Sequence, residues 1–141
     1  MKKALRLSAL LAAAFLFASG CASIEIKPAG DVNRVLTGNV NYNSDEPLPA
    51  GSTLTVRLLD PSDPSAPPMV VGEQTIKDPG ASPVAFRIEY QAADTLLQHG
   101  LNIDARIAVA GRLQFYNVNS YAVTLSHATE SQQVWVNPAG K

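Results

Sequence analysis

Apolar residues recur at every second position in short runs along most of this chain. In the clearest run, Val84, Phe86, Ile88 and Tyr90 are separated by single polar or small residues. Such alternation places the apolar side chains on one face of a β-strand. After residue 33, no run of ten or more residues keeps a helical period between capping residues. The pattern therefore predicts an all-β fold.

Turn signals separate these runs and indicate how the strands are arranged. Comparable alternation occurs in further short runs, which begin at residues 36, 54, 69, 103, 113, 121 and 134. Residues 60–68 contain four prolines, so they form a loop. The sequence of residues 94–99 indicates one helical turn, which Asp94 caps and Gly100 ends. Turns spaced about every 8–12 residues predict a single antiparallel β-sandwich of about seven or eight strands over residues 34–138.

The N-terminus has the organisation of a cleaved export signal. Three basic residues lie within the first six, and residues 7–18 are uncharged and mostly apolar. Residues 18–21 read Ala-Ser-Gly-Cys and resemble the bacterial lipobox, in which the cysteine is acylated and becomes the first mature residue. We therefore predict a signal peptide over residues 1–20, cleavage between Gly20 and Cys21, and a lipid anchor and tether over residues 21–33.

Cys21 is the only cysteine of the chain, so a disulfide within one molecule is excluded. The alternatives to acylation are a free thiol or a disulfide to another chain behind an ordinary signal peptide. Two acyl chains such as palmitate anchor a protein stably without a spanning helix. The second mature residue is Ala22 rather than Asp. In Gram-negative lipoproteins of this kind that implies sorting to the outer membrane, with the domain at its periplasmic face.

The charge of the mature chain excludes some partners. Removal of residues 1–20 takes away three basic residues and no acidic one, so the net charge changes from −1 to −4. A mildly acidic domain without a cluster of Lys and Arg offers no surface for nucleic acid. The excess of acidic over basic residues also argues against a basic segment that would make a second contact with the membrane. We expect acylated Cys21 to be the membrane contact.

Three segments of the mature chain resemble the YbaY/YscW family of small bacterial lipoproteins. They are residues 49–60 (PAGSTLTVRLLD), residues 83–90 (PVAFRIEY), and a hairpin that contains residues 105–107 (ARI) and 111–115 (GRLQF). With the lipobox and an early Leu36-Thr37-Gly38 segment, the resemblance spans residues 36–136. Residues 116–120 (YNVNS) depart from the short polar step that the family usually has there. The resemblance implies the β fold, and some members are pilotins, which chaperone a secretin subunit of a type III secretion system to the outer membrane.

Residues that could support catalysis or bind a metal are few and scattered. His99 precedes a turn glycine, and His127 lies near a strand end beside Ser126. A strand would direct Ser126 and His127 to opposite faces, and two histidines without HExxH or CxxC spacing do not define a metal site. Asp60 and Asp63 each precede a proline and lack the EF-hand pattern, so they are expected to start turns. We therefore predict no enzyme activity, no metal and no cofactor.

Tyr116, Tyr121 and Trp135 are the candidate partner-binding residues. Exposed aromatic side chains beside amides such as Asn117 can bind a peptide or a sugar. The alternative is that Tyr121 and Trp135 pack over the edge of the sandwich. A peptide binds a sheet most readily by adding a strand at an exposed edge, and the last strand, around residues 134–136, is a candidate edge.

These observations favour a non-catalytic, lipid-anchored envelope lipoprotein that binds a protein partner at the outer membrane. A pilotin-like chaperone of a secretin is the specific form of this hypothesis, and another envelope protein is the other candidate partner. The alternative is a structural or stress-related envelope lipoprotein without a dedicated client. A third hypothesis, a small hydrolase or ligand-binding domain, would require His99 or His127 to act in a site.

Overall fold

The computed structural model describes residues 32–140, and within this range it contains eight strands and one short helix. In chain order these are β1 (Val32–Tyr42), β2 (Ser52–Asp60), β3 (Met69–Lys77), β4 (Val84–Ala92), α1 (Asp94–His99), β5 (Leu101–Val109), β6 (Arg112–Tyr116), β7 (Tyr121–Val123) and β8 (Gln132–Pro138). The all-β fold predicted from the alternation is confirmed.

The eight strands form one mixed sheet that is nearly closed into a barrel, which corrects the predicted antiparallel sandwich. The strand order is β3-β2-β5-β6-β8-β1-β4, and β7 pairs with β5. The strands pair antiparallel except β1 and β8, which pair in parallel over residues 38–42 and 132–136. The end strands β3 and β4 pack against each other. Alternation does not distinguish a sandwich from a barrel, because both bury one face of each strand.

The last strand is internal to the sheet, which corrects the suggestion that it forms an edge. Residues 132–136 of β8 pair with β1, and residues 137 and 138 pair with β6. The ends of the strand order are instead β3 and β4. Each of these two strands therefore has one side that no ladder covers, as does β7, which pairs only with β5 among the described residues.

The interior is filled by the alternating apolar residues seen in the sequence. In β4, every second residue from Val84 to Ala92 is buried and the residues between them are exposed. The buried hydrophobic residues form one cluster, which comprises Leu36, Val40, Tyr42, Leu54, Val56, Leu58, Val84, Phe86, Ile88, Tyr90, Ala92, Leu97, Leu101, Ile103, Ala105, Ile107, Val123, Ala128, Val134 and Val136. Each large aliphatic side chain buried in this way contributes about 1.5–3 kcal/mol, so the cluster is the main source of stability.

Gly38 is the point at which β1 passes close to both of its neighbours. A Cβ atom at this position would lie 2.3 Å from the main-chain oxygen of Gln132 and 2.7 Å from Cζ of Phe86. Both distances are well inside van der Waals contact, so a side chain would force the strands apart. The absence of a side chain at Gly38 allows the parallel pairing of β1 with β8 to begin there.

Asn117 joins β6 to β7 along one edge of β5. Its main-chain N–H donates to the oxygen of Ala105 at 3.2 Å, and its Oδ1 accepts the N–H of Ala105 at 2.7 Å. Its Nδ2 donates to the oxygen of Ile103 at 2.9 Å. Because β6 pairs with residues 106–109 and β7 with residues 101–103, the Asn117 side chain satisfies the β5 main chain between two partner strands.

The helix α1 connects β4 to β5 and is held at its first residue by an ion pair. The predicted helical turn is confirmed, but its cap is Ala93 rather than Asp94, and no side chain caps it. The carboxylate of Asp94 pairs instead with Arg34 of β1. Gly100 ends the helix with a φ of 89°, as expected. Across residues 32–140, no helix has the length and apolar character needed to cross a membrane.

Candidate functional site

Tyr116 and Trp135 are both exposed on the outer face of β6 and β8, and we call these two residues the aromatic patch. Tyr116 pairs with Asn137, and Trp135 lies two residues before Asn137 on the same face of its strand. Residues in such diagonal positions are about 7–8 Å apart, within reach of aromatic side chains. Trp135 is 52% exposed and Tyr116 is 37% exposed. The patch therefore presents two neighbouring aromatic side chains to solvent.

Tyr121 faces the interior rather than the aromatic patch. It pairs with Ile103 and packs against the core cluster. Its hydroxyl accepts a hydrogen bond from the main-chain N–H of Trp135 at 2.9 Å. Of the two residues for which packing against the sheet was the alternative to partner binding, Tyr121 packs and the Trp135 side chain is exposed. Tyr121 holds the β8 main chain at Trp135, and partner binding by these residues stays a prediction.

Amide and guanidinium groups lie at the margins of the aromatic patch. Asn41 pairs with Trp135 across the parallel ladder, and its Nδ2 donates to Oε1 of Gln133 at 3.2 Å. On the other side, Arg106 pairs with Tyr116, and its guanidinium forms an ion pair. The patch can therefore stack against apolar or aromatic groups at its centre and form hydrogen bonds at its margin.

Ser126 and His127 lie closer together than the sequence indicated, because residues 125–129 form turns rather than a strand. The Oγ atom of Ser126 lies 3.0 Å from Nδ1 of His127. The Oγ1 atom of Thr124 lies 2.9 Å from the same nitrogen. Two hydroxyls thus contact one nitrogen of an exposed imidazole. His99 is exposed at the end of α1, as expected for a histidine in a connecting segment.

Asp60 and Asp63 start turns, as predicted. Oδ1 of Asp60 accepts the N–H of Ser62 at 2.9 Å, and Oδ1 of Asp63 accepts the N–H of Ser65 at 2.9 Å. The hydroxyl and the N–H of Ser65 lower the pKa of Asp63 below its usual value. In the described part of the chain, no three residues of ligand type are grouped so that they could hold a metal ion.

A cleft of about 480 Å³ lies along β1 and β4, and no sequence motif indicated it. It is lined by Arg34, Val35, Glu89, Tyr90 and Gln91. Tyr90 is only 4% exposed, and its hydroxyl has no hydrogen-bond partner. Burial raises the pKa of Tyr90, and the nearby positive charge of Arg34 opposes part of that effect. The guanidinium of Arg34 already bonds two groups of the fold, so the cleft offers no uncommitted cation to a ligand.

The chain belongs to the YscW family, described as type III secretion system lipoprotein chaperones, whose family model matches residues 32–136. Among solved structures, the chain is similar to an alternative pilotin from the type II secretion system of Vibrio cholerae, with 24% sequence identity and a TM-score of 0.64. That similarity covers 78% of this chain and 100% of the pilotin chain. No curated protein matches this chain. The family resemblance inferred from the sequence is confirmed.

Family membership identifies this protein as a membrane-anchored lipoprotein of the cell envelope, in a family of chaperones that are not catalytic. The similarity to the pilotin, at 24% identity, establishes a shared fold. Gly20, Cys21 and Ala22 lie outside the described residues. Cleavage, acylation and sorting to the outer membrane therefore stay predictions from the sequence.

Proposed function

We propose that this protein is a pilotin-like chaperone that binds a secretin subunit and is held by acylated Cys21 at the periplasmic face of the outer membrane. The observation that carries the proposal is the family match over residues 32–136, which spans almost the whole described domain. The similarity of the fold to that of a type II secretion pilotin supports it further. The proposed location in the outer membrane is based on Ala22, the second residue of the predicted mature chain.

The aromatic patch is the surface that we assign to the client. Exposed Trp and Tyr side chains with a polar margin are the composition found at the centres of protein interfaces. Truncation of a central Trp in such an interface typically costs about 2 kcal/mol or more of binding free energy. Residues 22–31 reach at most about 35 Å, so a client on the patch is held near the membrane surface.

Affinity capture from cross-linked intact cells tests the proposal. The full-length lipidated protein should recover a secretin, and deletion of its gene should lower the amount of secretin in the outer membrane. The Trp135→Ala variant should remain folded and membrane-bound but bind the secretin about 30-fold more weakly. Leu113→Ala is the matched control, because Leu113 is a 44% exposed apolar residue of β6 outside the patch.

Two outcomes would contradict parts of this proposal separately. Recovery of abundant envelope proteins alone, with secretins unaffected by the deletion, would refute the chaperone role and favour a structural or stress-related lipoprotein. Equal recovery of a secretin by Trp135→Ala and Leu113→Ala would keep the chaperone role and remove the aromatic patch from the binding surface.

A further inference from the structure

The seam between β3 and β4 is a line along which the barrel lacks main-chain pairing. These strands are the two ends of the strand order, and no ladder joins them within residues 32–140. They approach closely at Gly72, where a Cβ atom would lie 2.5 Å from Cγ2 of Ile88 and 3.2 Å from Cβ of Tyr90. The missing side chain at Gly72 thus lets β3 lie directly against β4.

One side chain occupies the position of a paired strand at this seam. Oε1 of Gln74 accepts the main-chain N–H of Arg87 at 2.7 Å. That N–H points away from β1 and toward the seam. In an antiparallel ladder, residues two positions apart direct their main-chain groups to the same side, so those of Ala85 and Glu89 also point toward the seam. A sheet edge with such groups is a template for pairing with another chain.

β3 is held more weakly than β4. None of its residues is fully buried: Val71 and Ile76 pack against the core but stay partly exposed, and Met69 and Val70 are 62% and 45% exposed. Its ladder with β2 is irregular between Leu58 and Leu59. Segments with few buried contacts open at a lower free energy than the rest of a domain. Opening of β3 would uncover the seam edge of β4, while β4 itself stays fixed by its buried residues.

We infer that the seam edge of β4 is a second contact with the client, in addition to the aromatic patch: it binds an extended segment by strand addition, with the client main chain replacing the Gln74 amide at Arg87. This inference rests on the proposed function, because it takes the client to be a secretin. The occupant is an extended peptide, since the group that now bonds the edge is an amide carbonyl, the acceptor that every peptide bond carries. Arg87 and Glu89 form an exposed ion pair beside the edge, so the outward side chains of the segment meet both signs of charge.

The variants Arg87→Pro and Arg87→Ala separate the main-chain contribution from that of the side chain. Proline removes the N–H and is tolerated in an edge strand where that group points away from the ladder. In cross-linked cells, Arg87→Pro should recover about tenfold less secretin than Arg87→Ala. Gln74→Ala removes the competing amide and should recover about threefold more secretin than the unchanged protein. Thermal unfolding of each variant checks the fold.

The outcomes distinguish this inference from the proposed function. Equal recovery by Arg87→Pro and Arg87→Ala would overturn strand addition and leave secretin binding in place. Failure of the unchanged protein to recover any secretin would refute the proposed function itself. If Arg87→Pro does not fold, Gln74→Ala tests strand addition instead. Unchanged or reduced recovery of secretin by Gln74→Ala would overturn the inference, because Gln74 would then only close the seam.

Discussion

Replacement of Asn117 by Ala tests how the sheet is held together between β6 and β7. The Asn117 side chain bonds the N–H of Ala105 at 2.7 Å and the oxygen of Ile103 at 2.9 Å, both on β5. A third bond reaches the oxygen of Asn119 at 3.0 Å in more exposed surroundings. A buried donor or acceptor left without a partner costs about 1–3 kcal/mol. With two such groups on β5, we expect Asn117→Ala to lower the free energy of unfolding by about 3 kcal/mol.

Thermal unfolding followed by circular dichroism measures this loss. For a domain of about 100 residues, 1 kcal/mol shifts the Tm by about 4–8 °C, so the expected fall is about 12–24 °C. Asn119→Ala is the matched control, because it keeps the main-chain oxygen and should change stability by less than about 0.5 kcal/mol. A loss below about 1 kcal/mol for Asn117→Ala would refute the reasoning that this side chain replaces a paired strand.

Three further substitutions test other parts of the structure. Tyr90→Phe should leave the free energy of unfolding at neutral pH unchanged or raise it by up to about 1 kcal/mol, because the buried hydroxyl has no hydrogen-bond partner. The control Tyr42→Phe loses a hydrogen bond to a main-chain oxygen and should therefore be destabilised. Since burial raises the pKa of Tyr90, the folded state holds this proton more tightly, and stability is lost as the pH rises above about 10. Urea unfolding from pH 8 to 11 should show a smaller loss for Tyr90→Phe, and equal slopes would contradict the burial effect. Gly38→Ala should cost about 1–3 kcal/mol, because its Cβ would lie 2.3 Å from a main-chain oxygen, and a Tm within about 2 °C of the exposed control Thr37→Ala would refute this.

The individual strands were predictable because their signal is local. In β4 the apolar residues occupy alternate positions, and each of them is buried. The strand start predicted at residue 69 and the helical turn predicted over residues 94–99 also match β3 and α1. Turn residues and alternation act within a few positions of one another, so a single sequence contains the information for both.

The arrangement of the strands was not predictable in the same way. Whether the sheet closes, and which strands form its ends, depends on contacts between residues far apart in the chain. The parallel pairing of β1 with β8 joins residues 38–42 to residues 132–136, and no local pattern indicates it. For the same reason the exposure of Trp135 could not be separated from the packing of Tyr121. Both are aromatic residues in alternating strands, and only the register decides which faces inward.

The role of Asn117 was hidden for a different reason. The sequence showed only that residues 116–120 depart from the short polar step of the resembling family. An asparagine in such a segment is usually read as a turn residue. Its amide instead carries both a donor and an acceptor, which match the two main-chain groups that β5 leaves open between β6 and β7.

Replacement of Ala22 by Asp tests most directly the claim that this lipoprotein places a secretin in the outer membrane. Asp at the second mature position should hold the lipoprotein in the inner membrane, and Ala22→Ser serves as the control that leaves sorting unchanged. Separation of the two membranes, followed by detection of both proteins, measures the outcome. We expect the secretin to appear in the inner membrane of Ala22→Asp cells and in the outer membrane of Ala22→Ser cells. A normal amount of secretin in the outer membrane, while the Ala22→Asp lipoprotein stays in the inner membrane, would contradict the account.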